Sequence, residues 1–212
     1  MANDSKHEIR LLTPGDHEAW DRFITTAPGG SVLSSTSCLG EVARTSGGEM
    51  KIWGVYRKGE LVAGTGLISL SPLSMVTLLR PIPLAAYASI AIKPRESRQE
   101  AKLATYRLAV LDLIAQTLKE EADAAQIVGD TELTDIRPFS WRGWTSAVLY
   151  TYVLDISDPP KLWDHFIDRN IRNRVRKCRD CGIEIKRVND VKALYDIAAC
   201  TLERHHVEMT TD

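Results

Sequence analysis

The sequence predicts an α/β (α+β) fold over residues 1–146 and the beginning of a second unit over 147–212. Three observations carry this reading. Strand-like and helix-like stretches follow one another in the order β-α-α-β-β-β-α-β as far as residue 130. A long amphipathic pattern near 97–124 supplies a helix able to cover a sheet. After 147 the alternation of strand and helix begins again. Apolar residues make up 44% of the 212 residues and charged ones 26%, enough to build a proper core.

The elements follow in order. HEIRLLT (7–13) reads as a short strand, and Thr13 with Pro14 behind it reads as a helix start. Trp20, Phe23 and Ile24 then share one apolar face, and APGGS ends the helix. A second helix is expected over 36–45, with Leu39, Val42 and Ala43 inward and Gly47-Gly48 as its stop. MKIWGVY, the Lys58-Gly59 turn and ELVAGTGLISL form a hairpin pattern, in which the glycines of VAGTG suggest close packing. MVTLLRPIPLAAYASIAI (75–92) is strand-like but interrupted by Pro81 and Pro83, which cannot donate to a ladder. In the long helix, Leu103, Tyr106, Val110, Leu111, Ile114 and Leu118 lie near helical spacing. AQIVGD (125–130) reads as a short buried strand, and DIRPFSWRGW (135–144) as an aromatic, irregular junction.

In the second unit, AVLYTYVLDI (147–156) reads as a strand. A helix is expected from Pro159, capped by Asp158, to Cys181, where Gly182 stops it. IEIKRV (183–188) reads as another strand and 190–207 as a further helix. This unit looks incomplete, as though the chain were an N-terminal fragment. Residues 166–187 hold eight Lys or Arg against three Asp or Glu, although the whole chain has formal net charge −1. At ~100° per residue, Trp163, Phe166, Ile167, Ile171, Val175, Cys178 and Cys181 fall on one half of the helix. Arg169, Arg172, Arg176 and Arg179 fall on the other, either as a solvated face or as a phosphate-facing patch. Arg174 projects near the centre of the apolar stripe, where a charge needs a partner. It would serve as a structural ion pair or as an anion holder in a cleft.

Cys178 and Cys181 match a CxxC spacing, but on the apolar stripe they read as small buried residues, and zinc needs four converging ligands. There is no GxGxxG, Walker-type loop, HExxH or GxSxG. No apolar run of ~18 residues and no signal-peptide core appear, so a cytoplasmic protein without a membrane span is expected. A pI near 6.5 argues against general nucleic-acid affinity. Asp135 and Arg137 would form an ion pair or line a cleft. Tyr87 would place its hydroxyl in a cleft or sit in the core.

Four segments resemble the Fem-type subgroup of the GNAT acyltransferase fold, the FemABX and BioF2-like proteins. They are HEAWDRFITTAPGGSVLSS, PLAAYASIAI, DIRPFSWRGWTSAVLYTYVLDI, and LWDHFIDRNIRNRVRKCRDCGIEIKRV followed by LYDIAACTLERHH. The resemblance spans nearly the whole chain. It implies a GNAT-like mixed central sheet flanked by helices over 1–146 and the start of a second GNAT-like domain over 147–212. It implies transfer of an acyl or aminoacyl group to a small-molecule amine, with a UDP- or lipid-linked muropeptide of peptidoglycan synthesis as the acceptor in bridge-forming members. The donor would be acyl-CoA or aminoacyl-tRNA, with tRNA a partner in the second case and no cofactor held permanently. The acyl-CoA loop of ordinary GNAT enzymes, Q/R-x-x-G-x-G/A, is absent, and no catalytic residue transfers. Arg174, Arg172, Arg137, Arg204 and Tyr87 form the expected substrate-facing set, binding phosphate or carboxylate groups. The alternative is a non-catalytic GNAT-like module that binds an anionic ligand or RNA.

Overall fold

The computed structural model describes residues 7–72, 75–83 and 90–204, which fall into two units, Met1–Ala147 and Val148–Asp212. The first unit runs β1 (Glu8–Leu11), α1 (His17–Ile24), α2 (Thr36–Ser46), β2 (Glu49–Arg57), β3 (Glu60–Leu70), β4 (Leu78–Arg80), β5 (Ala91–Ile92), α3 (Glu100–Glu121), β6 (Ala124–Ala125) and α4 (Arg137–Trp141). One mixed sheet takes the order β1-β2-β3-β4-β6, with β5 also on β3. All its pairings are antiparallel except β4 with β6.

β3 organises the sheet. One edge pairs with β2 from Glu49↔Ser69 to Arg57↔Glu60, with a bulge at Val55/Tyr56. The other edge pairs with β4 at Ile68↔Arg80 and with β5 at Gly64↔Ala91. The interrupted strand expected over 75–92 is therefore two short pieces on one line. Between these pairs β3 advances four residues while the opposing chain advances eleven. Pro81 and Pro83 lie where the ladder is lost, having no N–H to give it.

α3 covers one face of the sheet. Tyr106, Val110, Leu111, Ile114 and Leu118 pack there with Trp53, Val55, Leu67 and Leu79. α1 and α2 cover the other face, where Trp20, Ile24, Leu39 and Ala43 meet Ile52 and Ile68. Trp20 is fully buried, and its indole N–H donates to the Ser34 carbonyl at 2.8 Å. The Ser35 hydroxyl caps α2 by accepting from the Cys38 N–H, and left-handed Gly47 (φ 67°) ends it. At the start of α1, Pro14–Asp16 forms a 3-10 turn, and the Thr13 hydroxyl donates to the Asp16 carboxylate.

Three expectations for this unit need correction. β6 is two residues at the edge of the sheet, because β4 offers a ladder only three residues long. The 135–144 junction contains α4, with Phe139 buried and Trp144 edge-on to it at 5.4 Å. This segment is fastened to α3. Arg142 forks onto Asp112 at 2.8 and 2.7 Å, Lys119 donates to the Arg142 carbonyl, and the Trp144 indole donates to the Ala115 carbonyl. The long helix itself starts at Glu100 and ends at Glu121.

The second unit contains α5 (Pro159–Lys161), a π-helical turn over Leu162–Phe166, α6 (Arg169–Asp180) and α7 (Val191–Arg204). The single helix expected to Cys181 is thus broken at Ile167–Asp168. There the Asp168 side chain accepts from the Asn170 N–H and starts a new helix. The strands expected at 147–156 and 183–188 do not form among the described residues. A strand is held by its ladder, and these segments are solvent-exposed, with Tyr152 98% and Ile185 99% accessible. Cys178 and Cys181 are exposed, not buried, because the apolar stripe that carries them is itself uncovered.

Two stability outcomes follow from the first unit. A Cβ on Gly64 would stand 2.5 Å from the Trp53 carbonyl oxygen and 2.6 Å from the Trp20 ring. Gly64→Ala is expected to lower unfolding stability by about 1–3 kcal/mol in urea titration. The Arg142 guanidinium holds the Asp112 carboxyl below its ordinary value. A depressed carboxyl stabilises the fold above the unfolded value of about 3.9, and that stability is lost as pH falls below it. Asp112→Asn should therefore cost about 0.5–1 kcal/mol near neutrality, a modest figure because water screens this partly exposed pair. Its deficit against the parent should close as the urea midpoints are remeasured toward pH ~2–3.

Candidate functional site

The chain leaves β5 at Ile92 and enters α3 at Glu100, and beside this turn lies a cavity of about 170 Å³. Two backbone bonds fix its floor. The Ile92 N–H donates to the Pro28 carbonyl at 3.0 Å and the Lys93 N–H to the Val62 carbonyl at 2.8 Å. Ile90, Ile92, Leu103 and Leu133 give apolar walls, and Lys93, Arg95 and Arg107 bring cationic groups to the lining. A cavity of this size holds a ring or a short acyl chain, since ~150 Å³ accommodates benzene.

Tyr106 and Arg107 form the inner wall from consecutive positions of α3. Tyr106 is buried, its ring 5.6 Å from His7, with the Arg95 guanidinium 6.0 Å over it. Its hydroxyl lies 3.4 Å from the Val62 carbonyl and 3.3 Å from the Lys93 carbonyl, long hydrogen bonds that tie α3 to β3 and to the residue after β5. Burial pushes the phenol above its ordinary value, against the lowering effect of Arg57 and Arg95. It therefore stays protonated through neutral pH and acts as a donor rather than a base. Arg107 donates to the Glu132 carbonyl at 2.6 Å and holds the 130–133 turn as the opposite wall. Lys93 is paired with Glu60. The turn KPRESRQ (93–99) contains no glycine, so it lacks the flexible backbone that glycine-rich loops use to cradle a pyrophosphate.

Sequence reasoning missed this site. Tyr106 had the spacing of a core residue, which it also is, and Lys93, Arg95 and Arg107 carried no spacing signal. Of the expected substrate-facing residues, four are described, each within its own unit. Arg137 lies at the start of α4, paired with Asp135 at 2.6 Å. Arg172 turns back along its own chain and donates to the Trp163 and Asp164 carbonyls at 3.3 and 2.7 Å, closing the π-helical turn. Arg174 is exposed and has no ion-pair partner among the described residues. The stripe on which it sits is open to solvent, so its charge needs no compensation. Arg204 is exposed on α7, bonded to the Cys200 carbonyl one turn back. Tyr87 lies outside the described residues. Among the described residues there is no cluster of three or more His, Cys, Asp or Glu able to hold a metal, and no helix long and apolar enough to cross a membrane.

No protein-family model and no curated protein sequence matches the chain. Among solved structures it is similar to FemX, with a TM-score of 0.53 and 17% identity, over 96% of this chain and 52% of that one. It is also similar to the ribosomal-protein-alanine N-acetyltransferase from Brucella melitensis biovar Abortus 2308, with a TM-score of 0.41 and 14% identity, over 71% of this chain and 99% of that one. The sheet, its flanking helices and the likeness to FemX define a GNAT-like mixed α/β fold. The chain spans about half the length of FemX.

The phenol at the cavity is open to direct measurement. Of the six tyrosines, Tyr106 is expected to ionise above ~10 in an ultraviolet pH titration, and Tyr106→Phe should remove one of the late transitions. Loss of the transition with the lowest midpoint instead would mean that the hydroxyl is solvated.

Proposed function

We propose that the chain is part of an N-acyltransferase of the Fem type, which moves an acyl or aminoacyl group onto an amine. The observation that carries this reading is the small apolar cavity at the end of β5, beside the start of α3, on a GNAT-like fold. Its walls suit the acyl group, and Arg95 and Arg107 suit the anionic remainder of a donor such as acyl-CoA or aminoacyl-tRNA. The reaction needs little covalent help. The amine nitrogen attacks the activated carbonyl, the C–N bond forms, the bond to the donor's sulfur or oxygen breaks, and a proton leaves the nitrogen. The protein's part is alignment, exclusion of water and stabilisation of the developing oxyanion. Following the resemblance, the acceptor is an amine on a UDP- or lipid-linked muropeptide.

The test offers acetyl-CoA and aminoacyl-tRNA in turn, with a muropeptide amine, and follows N-acylated product by mass spectrometry. Product is expected with one donor. Leu103→Trp, which fills the cavity, should lower kcat/KM at least about tenfold while leaving the melting temperature near the parent's. Absence of product with both donors, or full activity in Leu103→Trp, overturns the reading.

A second reading is favoured by α6, which exposes Arg169, Arg174, Arg176, Lys177 and Arg179 with Asp180 its one acidic residue. Such a helix suits a non-catalytic module that binds an anionic polymer such as RNA. Binding of a short single-stranded RNA would then weaken with salt at a log–log slope of about −0.7 per phosphate contacted. A slope near zero removes this alternative.

A further inference from the structure

On the α2 side of the sheet, next to β4 and β6, lies a second cavity of about 310 Å³. The register explains its lining. Arg80 stands opposite Ile68, whose side chain joins the α1/α2 core, so both leave the sheet on that side. The Gln126 N–H continues the ladder to the Leu79 carbonyl, and Ala125 packs with the α3 core. Alternation then sends Gln126 to the same side as Arg80. Ile68, Leu70, Pro81 and Ile82 supply apolar walls. Neither the Arg80 guanidinium nor the Gln126 amide has a hydrogen-bond or ion-pair partner among the described residues.

We propose that this cavity binds an apolar monocarboxylate that also carries an amide, of the size of an N-acylated branched-chain amino acid. The guanidinium fork matches one carboxylate, and among the described residues no second cation lines the cavity to balance a doubly charged phosphate ester. The Gln126 amide both donates and accepts, which is the complement of another amide. Pro81 and Pro83 bring no N–H groups, so the wall beside Arg80 favours hydrocarbon. The volume is roughly twice the ~150 Å³ that takes benzene, room for about a dozen non-hydrogen atoms. The site is separate from the cavity beside β5 and does not depend on the transfer reaction.

The experiment is calorimetric titration of the full chain with N-acetyl-L-leucine and, separately, with N-acetyl-L-leucinamide. The acid is expected to bind and the amide to bind at least about tenfold more weakly, the loss of one charge-assisted pair. Arg80→Gln should reduce binding of the acid to the level of the amide, and Gln126→Ala should weaken both. Both side chains are exposed, so a thermal melt should show the variants as folded as the parent. Leu103→Trp, in the other cavity, should leave the titration unchanged. No binding by either compound, equal binding of acid and amide, or an unchanged affinity in Arg80→Gln overturns the proposal.

Discussion

Two glycines set against two large side chains hold the first unit together. Gly64 and Gly66 of β3 leave room for the Trp20 ring and for Leu39, so α1 and α2 lie directly on the middle of the sheet. The same strand supplies Ala63 and Leu67 to the opposite face, against α3. β3 is therefore packed on both faces and paired on both edges, and the positions of β2, β4 and β5 are set by registry with it. The indole bond from Trp20 to the Ser34 carbonyl carries this constraint outward and fixes the turn that starts α2.

Both cavities arise from one departure from that regularity. The line opposite β3 breaks between Arg80 and Ala91, where the chain takes seven residues more than the ladder requires. On the α2 side the break leaves Arg80 exposed beside Ile82, which packs into the α1/α2 core. At the far end it leaves Ile90 and Ile92 beside the start of α3, where Tyr106 and Arg107 complete a pocket. The prolines matter here because they remove ladder donors at the point where the strand has to let go.

The second unit obeys different physics. Its helices are well marked locally, with Asp158, Asp168 and Asp190 each accepting from a backbone N–H at a helix start. Its apolar faces are uncovered, from Val148–Ile156 through Ile183 and Ile185 to Leu194 and Ile197. Helix formation needs only neighbours in sequence, and it occurs. Strand formation needs a partner, and the two segments patterned for it remain unpaired among the described residues.

Local chemistry was therefore readable from the residues. The order of elements in the first unit, the α2 stop at Gly47, the hairpin turned at Lys58-Gly59, and the inward stripe of α3 all follow from propensity and period, which act within a few residues. The proline-broken strand was legible as a break, but what the break opens was not, because a cavity is the space left between elements distant in sequence. Burial was the other unreadable quantity. Spacing assigns Cys178, Cys181 and Arg174 to one face of a helix, and only the presence or absence of a packed neighbour makes that face an interior. For the same reason Tyr106 looked like an ordinary core residue until Lys93, Arg95 and the Glu132 turn were seen gathered around it.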